Sequence, residues 1–128
     1  MKSIDVVREL YRAFETKDTA AIRATLSDSV EWIQCPGFPG GGHHRGVDNV
    51  MSNVFGKFKH DWESFNATVS EFLDCGDRVV VLGGYAGKHR ASGKQFKAVF
   101  AHVYTVENGR IQTFRQITDT QPIHAAMI

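Results

Sequence analysis

Residues 98–119 read AVFAHVYTV (98–106), ENG (107–109) and RIQTFRQITD (110–119), and this stretch decides the fold. Two runs rich in β-branched and aromatic residues flank Asn108-Gly109. That dipeptide suits a two-residue hairpin turn, because both central residues of the favoured turn take positive φ. A two-residue turn sets Glu107 against Arg110. A regular ladder then sets Tyr104 against Thr113, His102 against Arg115, Phe100 against Ile117 and Ala98 against Asp119. Cross-strand partners share a face. Phe100, His102, Tyr104, Thr113, Arg115, Ile117 and Asp119 therefore point one way, and this mixed aromatic and titratable set suits a pocket wall. Val99, Ala101, Val103, Gln112, Phe114 and Gln116 point the other way and suit an outer or dimer surface. At ~3.3 Å per residue, such a ladder holds His102 and Asp119 about 13 Å apart. A direct hydrogen bond between them needs a bulge, which the uneven spacing of Ile111, Phe114 and Ile117 permits.

Upstream, Trp62–Asp74, Arg78–His89 and Lys94–Val106 read as long strands, separated by turns at Cys75-Gly76-Asp77 and Ala91-Ser92-Gly93. With Arg110–Asp119 they describe a four-stranded antiparallel meander. Gly83, Gly84 and Gly87 within one strand point to a bend, a bulge or the close approach of another group.

The first half of the chain is helical. Ile4, Val7, Tyr11 and Phe14, with Leu10 beside them, form one apolar stripe over Ser3–Lys17, where Ser3 suits the N-cap. A short helix is expected over Thr19–Leu26, and a short strand over Ser29–Gln34. CPGFPGGGHHRG (35–46) carries two prolines and five glycines and reads as a loop, a candidate rim for a pocket. Val47, Val50, Met51, Val54, Phe55 and Phe58 give the clearest helical spacing. The tail from Gln121 to Ile128 is expected to be loosely held. The order describes one α+β domain over residues 1–128: a curled antiparallel sheet with three N-terminal helices packed on its concave face, forming a cone with a central pocket.

Fifteen Lys and Arg against fourteen Asp and Glu leave a net charge of +1. With the basic residues scattered, this argues against a nucleic-acid partner. The small basic group Lys57, Lys59 and His60 completes the end of a helix. Cys35 and Cys75 lack any framework spacing and read as reduced thiols. No leader or membrane-length apolar run is evident, so the expected location is the cytoplasm. His43-His44 are adjacent and point apart in an extended segment, and no metal-ligand spacing accompanies them. No Walker, GxGxxG or GxSxG pattern is present, and no cofactor is expected.

The opening VRELYRAFETKDTAAIRATLSDSVEW, the RG before the third helix, DRVVVLGGYAGKHRASGKQF and the close FAHVYTVENGRIQTFRQITDT together resemble the nuclear transport factor 2-like superfamily. The likeness is to its SnoaL-like, ketosteroid-isomerase-related branch. It implies a cone-shaped subunit with an apolar pocket, homodimerisation, and either acid/base chemistry or ligand binding without turnover. By position it implies that Asp119 matches the acid/base Asp of SnoaL-like cyclases, and that His102 matches an oxyanion-stabilising position of the isomerases. The isomerase pattern departs at two places. Its general-base Asp would fall where Gln34 and Cys35 stand, and its oxyanion Tyr would fall near Leu10, one position from Tyr11.

The candidate site is thus Asp119 moving a proton with a pKa raised by an apolar pocket, and His102 polarising a substrate oxygen. Trp32, Tyr104, Phe100, Arg115, Tyr85 and Phe55 would bind substrate. The structural alternatives are an Asp that ends a strand and a histidine satisfied in the core. The expected ligand is an apolar, carbonyl-bearing small molecule handled by a cofactor-independent isomerase, cyclase or hydrolase. A non-catalytic binding or dimerisation module is the competing reading. The expected protein partner is a second copy, docked through the outer sheet face.

Overall fold

The computed structural model describes residues 2–128. Strands β3 (Trp62–Cys75), β4 (Arg78–His89), β5 (Gln95–Glu107) and β6 (Arg110–Thr118) form the antiparallel meander. Strand β1 (Leu26–Gln34) then adds to β6 in parallel, and a short β2 (Gly42–Arg45) adds to β1, giving the sheet order β2-β1-β6-β5-β4-β3. β2 lies inside the stretch expected to be wholly loop. It is a four-residue edge strand, where glycine and polar side chains are tolerated.

Helices α1 (Ser3–Thr16) and α2 (Thr19–Thr25) form the expected bent pair. Ser3 is the first helical residue rather than the cap; the Asp18 carboxylate caps α2 by accepting from the Ala21 N–H at 3.0 Å. The third helical run starts as α3 (Val47–Asn49), widens to a π-helical stretch over Val50–Phe55 and ends as α4 (Gly56–Asp61). The C-terminal segment is not loose. It forms α5 (Gln121–Met127), with Pro122 in its first turn and Ile123 and Ala126 buried against the sheet.

The sheet curls around one continuous core, and α1 contributes Val7, Leu10, Tyr11 and Ala13 to it. Glycine permits the tight curl at two places. A Cβ on Gly83 would stand 2.2 Å from the Thr68 carbonyl and 2.7 Å from the Phe100 ring. One on Gly87 would stand 2.6 Å from the Ser64 carbonyl and 2.7 Å from the Phe96 ring. These residues let two aromatic rings lie directly on the backbone of β4.

The closing hairpin turns as expected: Asn108 and Gly109 have φ of 53° and 76°, and Glu107 pairs with Arg110. The register above it is different. Val106 pairs with Ile111 but Thr105 pairs with Thr113, leaving Gln112 as a bulge. Beyond it Tyr104 faces Phe114, His102 faces Gln116 and Phe100 faces Thr118. A one-residue slip turns every later side chain of β6 over. Phe114 and Gln116 are therefore buried inside, whereas Arg115, Ile117 and Asp119 are exposed. This corrects the face expected for these five residues.

Candidate functional site

Between the curled sheet and the helices lies a cavity of about 410 Å³. Phe14 and Ile22 from the helical pair, Phe38 from the 35–41 loop, Phe55 and Phe58 from the third helical run and Phe65 from β3 give it an apolar wall. Its mouth carries the exposed Glu15, Lys17 and Lys59. Its polar groups are Tyr11, Tyr85, His102 and Gln116, with Gln34, Asn66 and Thr68 elsewhere on the lining.

The loop that the sequence marks as a rim does cover this space. Phe38 is buried, with its ring 5.8 Å from those of Phe58, Phe65 and Tyr85. Gln34 Nε2 and His44 Nε2 both donate to the Gly40 carbonyl, at 3.1 and 2.8 Å. His124 of α5 holds the other side of the loop through the Gly37 carbonyl. Gly41 is needed here, since a Cβ would lie 2.7 Å from the Cys35 carbonyl.

His102 stands at the centre of the polar groups. Tyr85 Oη lies 2.5 Å from Nε2, and Tyr11 Oη lies 2.5 Å from Nδ1. Tyr11 Oη is also 2.7 Å from Tyr104 Oη. Gln116 extends the chain. Its Oε1 accepts from the Cys35 backbone N–H at 3.3 Å, which orients the amide so that Nε2 donates to Tyr85 Oη at 2.8 Å. The Cys35 thiol also donates to Oε1, at 3.6 Å. The result is a continuous path, buried from Gln116 onward: Cys35, Gln116, Tyr85, His102, Tyr11, Tyr104.

Burial sets the charge state of the path. It pushes the His102 imidazolium down to about 3, so the ring is neutral at ordinary pH. Burial raises the phenols of Tyr11, Tyr85 and Tyr104 above their ordinary range, so all three stay protonated. Stacking fixes the imidazole as well, with the Phe100 ring 3.9 Å away at 11°. None of Gln116, Tyr85, His102, Tyr11 and Tyr104 carries a formal charge. Such a site offers hydrogen bonds and oriented dipoles in a low-dielectric space, where each acts more strongly than in water.

The candidate residues fall into three groups. His102, Tyr85 and Phe55 line the cavity. Trp32, Tyr104 and Phe100 are buried just behind that lining: Tyr104 is bonded to Tyr11, Phe100 is stacked on His102, and Trp32 is stacked on Phe114 at 3.8 Å. The Trp32 indole N–H has no hydrogen-bond partner among the described residues. Arg115 and Asp119 stand apart from the cavity, because the Gln112 bulge turns them outward. The Asp119 carboxylate accepts from the Gln121 N–H at 3.2 Å, which is the structural alternative for that residue. The bulge does not bring Asp119 to His102; it puts the two on opposite faces of the sheet. Nor is His102 free to touch a ligand oxygen through either nitrogen, since both are occupied by tyrosines.

Sequence reasoning missed Tyr11, Gln116 and Phe114. Tyr11 sits on the apolar stripe of α1 and reads as core until its partner, ninety-one positions away, is known. Its hydroxyl reaches the site although the residue is one position from where the isomerase pattern would put it. Gln116 and Phe114 would follow from the correct β6 register. Among the described residues, no three His, Cys, Asp or Glu side chains gather as a metal site, and no helix is long and apolar enough to cross a membrane.

Comparison with known proteins agrees with this architecture. A family model described as a SnoaL-like domain matches residues 7–114. An NTF2-like protein from Burkholderia thailandensis is 34% identical, with a TM-score of 0.97 over 100% of this chain and 98% of that one. TerC, co-crystallised with polyporic acid, is 23% identical with a TM-score of 0.87, covering 98% of this chain and 97% of TerC. IdmH, a putative polyketide cyclase from Streptomyces antibioticus, is 19% identical with a TM-score of 0.81, covering 99% of each chain. No curated protein matches the chain.

Proposed function

Because this chain belongs to the SnoaL-like domain family, within the NTF2-like superfamily, we propose that its cavity takes an apolar small molecule bearing a carbonyl group and acts on it without a cofactor. The observation that carries this reading is the uncharged Tyr85–His102–Tyr11 chain at the wall of an otherwise apolar cavity. A phenol donating to a carbonyl oxygen draws electron density from the neighbouring carbon. That stabilises an enolate-like or oxyanionic transition state, the common step of isomerisation, cyclisation and acyl hydrolysis. The likeness to a putative polyketide cyclase and to a protein crystallised with polyporic acid supports the ligand class.

Ligand binding without turnover is the second reading, and one observation favours it. Among the described residues, the only carboxylate lining the cavity is Glu15, exposed at its mouth. The two readings separate in D2O with 1-tetralone, a compact aryl ketone. Turnover predicts deuterium entering the carbon next to the carbonyl faster than in buffer. In Tyr11→Phe/Tyr85→Phe that rate should drop by about 10²–10³. Binding without exchange selects the second reading, and no binding sinks both. The outer sheet face, where Val99 is 72% and Ile117 56% exposed, is proposed as the seat of a second copy.

A further inference from the structure

The hydrogen-bonded path contains one proton more than it can use internally. Tyr85, His102, Tyr11 and Tyr104 are joined by three hydrogen bonds, and each carries one proton in its neutral form. One donor is therefore left over. Gln116 cannot absorb it, because its amide is already oriented by the Cys35 N–H and donates to Tyr85. Tyr104 is a poor place for it: that residue is wholly buried, its hydroxyl is bonded to Tyr11, and an unpaired proton there would be stranded. Tyr104 therefore donates to Tyr11.

Two arrangements remain, and they differ in the histidine tautomer. With the proton on Nδ1, His102 donates to Tyr11 and accepts from Tyr85, and the Tyr11 proton is free. With the proton on Nε2, His102 donates to Tyr85 and accepts from Tyr11, and the Tyr85 proton is free. Both tyrosines line the cavity, so in either arrangement the free proton belongs to a residue of its wall.

We propose that the pocket selects ligands presenting a hydrogen-bond-accepting oxygen to this wall, and that His102, through its ring tautomer, determines whether Tyr85 or Tyr11 donates to it. This rests on the small-molecule reading above and narrows it. One donor is available at a time, so the ligand group that pairs with it is a single acceptor such as a ketone. His102 is a positioning residue: both its nitrogens are bonded to tyrosines, and it sets which phenol donates to the ligand.

The probes are 1-tetralone and tetralin, which share a skeleton and differ at the oxygen, compared by calorimetric titration. The wild-type protein should favour the ketone by about tenfold. Tyr11→Phe and Tyr85→Phe should each keep that preference, because the donor moves to the remaining tyrosine. Tyr11→Phe/Tyr85→Phe should lose it. A preference abolished by one single substitution, or surviving the double one, overturns the proposal. Ring-nitrogen NMR of His102 in the ketone complexes gives a reading that does not need the double variant to fold. Tyr11→Phe should hold the proton on Nε2 and Tyr85→Phe on Nδ1; the same tautomer in both overturns the switch. If both probes bind equally well, only this inference fails. If neither binds, the small-molecule reading fails with it.

Discussion

The two faces of the closing hairpin are made from the same two strands and have opposite chemistry. Its inner face carries Phe100, His102 and Tyr104 on β5 and Phe114 and Gln116 on β6, all buried and interlocked by stacking and hydrogen bonds. Its outer face carries Val99, Ala101, Arg115 and Ile117, followed by Asp119, with no hydrogen bond from any of these side chains into the cavity wall. What sorts residues between the faces is a single unpaired residue, Gln112. The lesson is that the site depends on where a strand is irregular more than on which polar residues the strand contains.

Opposing the sorting should have the largest effect. Phe114→Arg/Arg115→Phe would put an unpartnered guanidinium in the core and a phenyl ring outside for as long as the Gln112 bulge holds the register. We expect a loss of more than about 4 kcal/mol, seen as no cooperative urea transition. A folded, stable variant would show that β6 can slip to the regular ladder and that the bulge does not hold the faces.

The next effect is on pH. His102 is neutral in the folded protein down to about 3 against 6.5 for the free side chain, so the unfolded chain binds the extra proton between those values. Stability is full above about 6.5 and is lost as pH falls toward 3, by about 1.4 kcal/mol per unit. The groups packed on the ring are Tyr11 from α1, Tyr85 from β4, Phe100 and Tyr104 from β5 and Phe114 from β6, none of them a carboxylate that would offset this. Urea titrations at several pH values should show the slope in the wild type and a flatter one in His102→Gln.

On the outer face, Ile117→Asp should split the expected dimer while changing monomer stability by under about 1 kcal/mol. Light scattering reads the mass directly, and a wild type that is monomeric at tens of micromolar would remove the outer face as an interface. Asp119→Asn should do least. Its exposed side chain needs only to accept from the Gln121 N–H, which asparagine also does, so stability should move by under about 0.5 kcal/mol and 1-tetralone affinity should not change. A large drop in either would restore Asp119 to the site.

Much of the architecture is legible in the sequence because burial of one sheet face imposes a strict alternation. β3, β4 and β5 follow from it, and Asn108-Gly109 announces the turn. The Gln112 bulge is far harder to see, because Gln112 and Thr113 are both polar and no glycine marks the place. Its one trace is the spacing of Ile111, Phe114 and Ile117, and it exchanges Phe114 and Gln116 for Arg115 and Asp119 in the site. α5 is hidden by its shortness, although Pro122 followed by Ile123 and Ala126 carries the signal of a helix start and an apolar stripe. Tyr11 illustrates a different limit. Periodicity places it correctly on the buried face of α1, but what a buried hydroxyl meets depends on tertiary packing alone.

The parallel pairing of β1 with β6 has a consequence for how the molecule is assembled. Strands β3 to β6 join neighbours through short turns, so the wall bearing Tyr85, His102 and Gln116 can form from local contacts. β1 reaches β6 only across the whole meander, with Glu31 paired to Thr113, and α1, which brings Tyr11, packs across similarly distant segments. Contacts of such long range are slow to close. The wall is therefore expected to stand before its roof arrives, and a ligand that needs Tyr11 would bind only the finished molecule, making its capture a timer for the last step of folding.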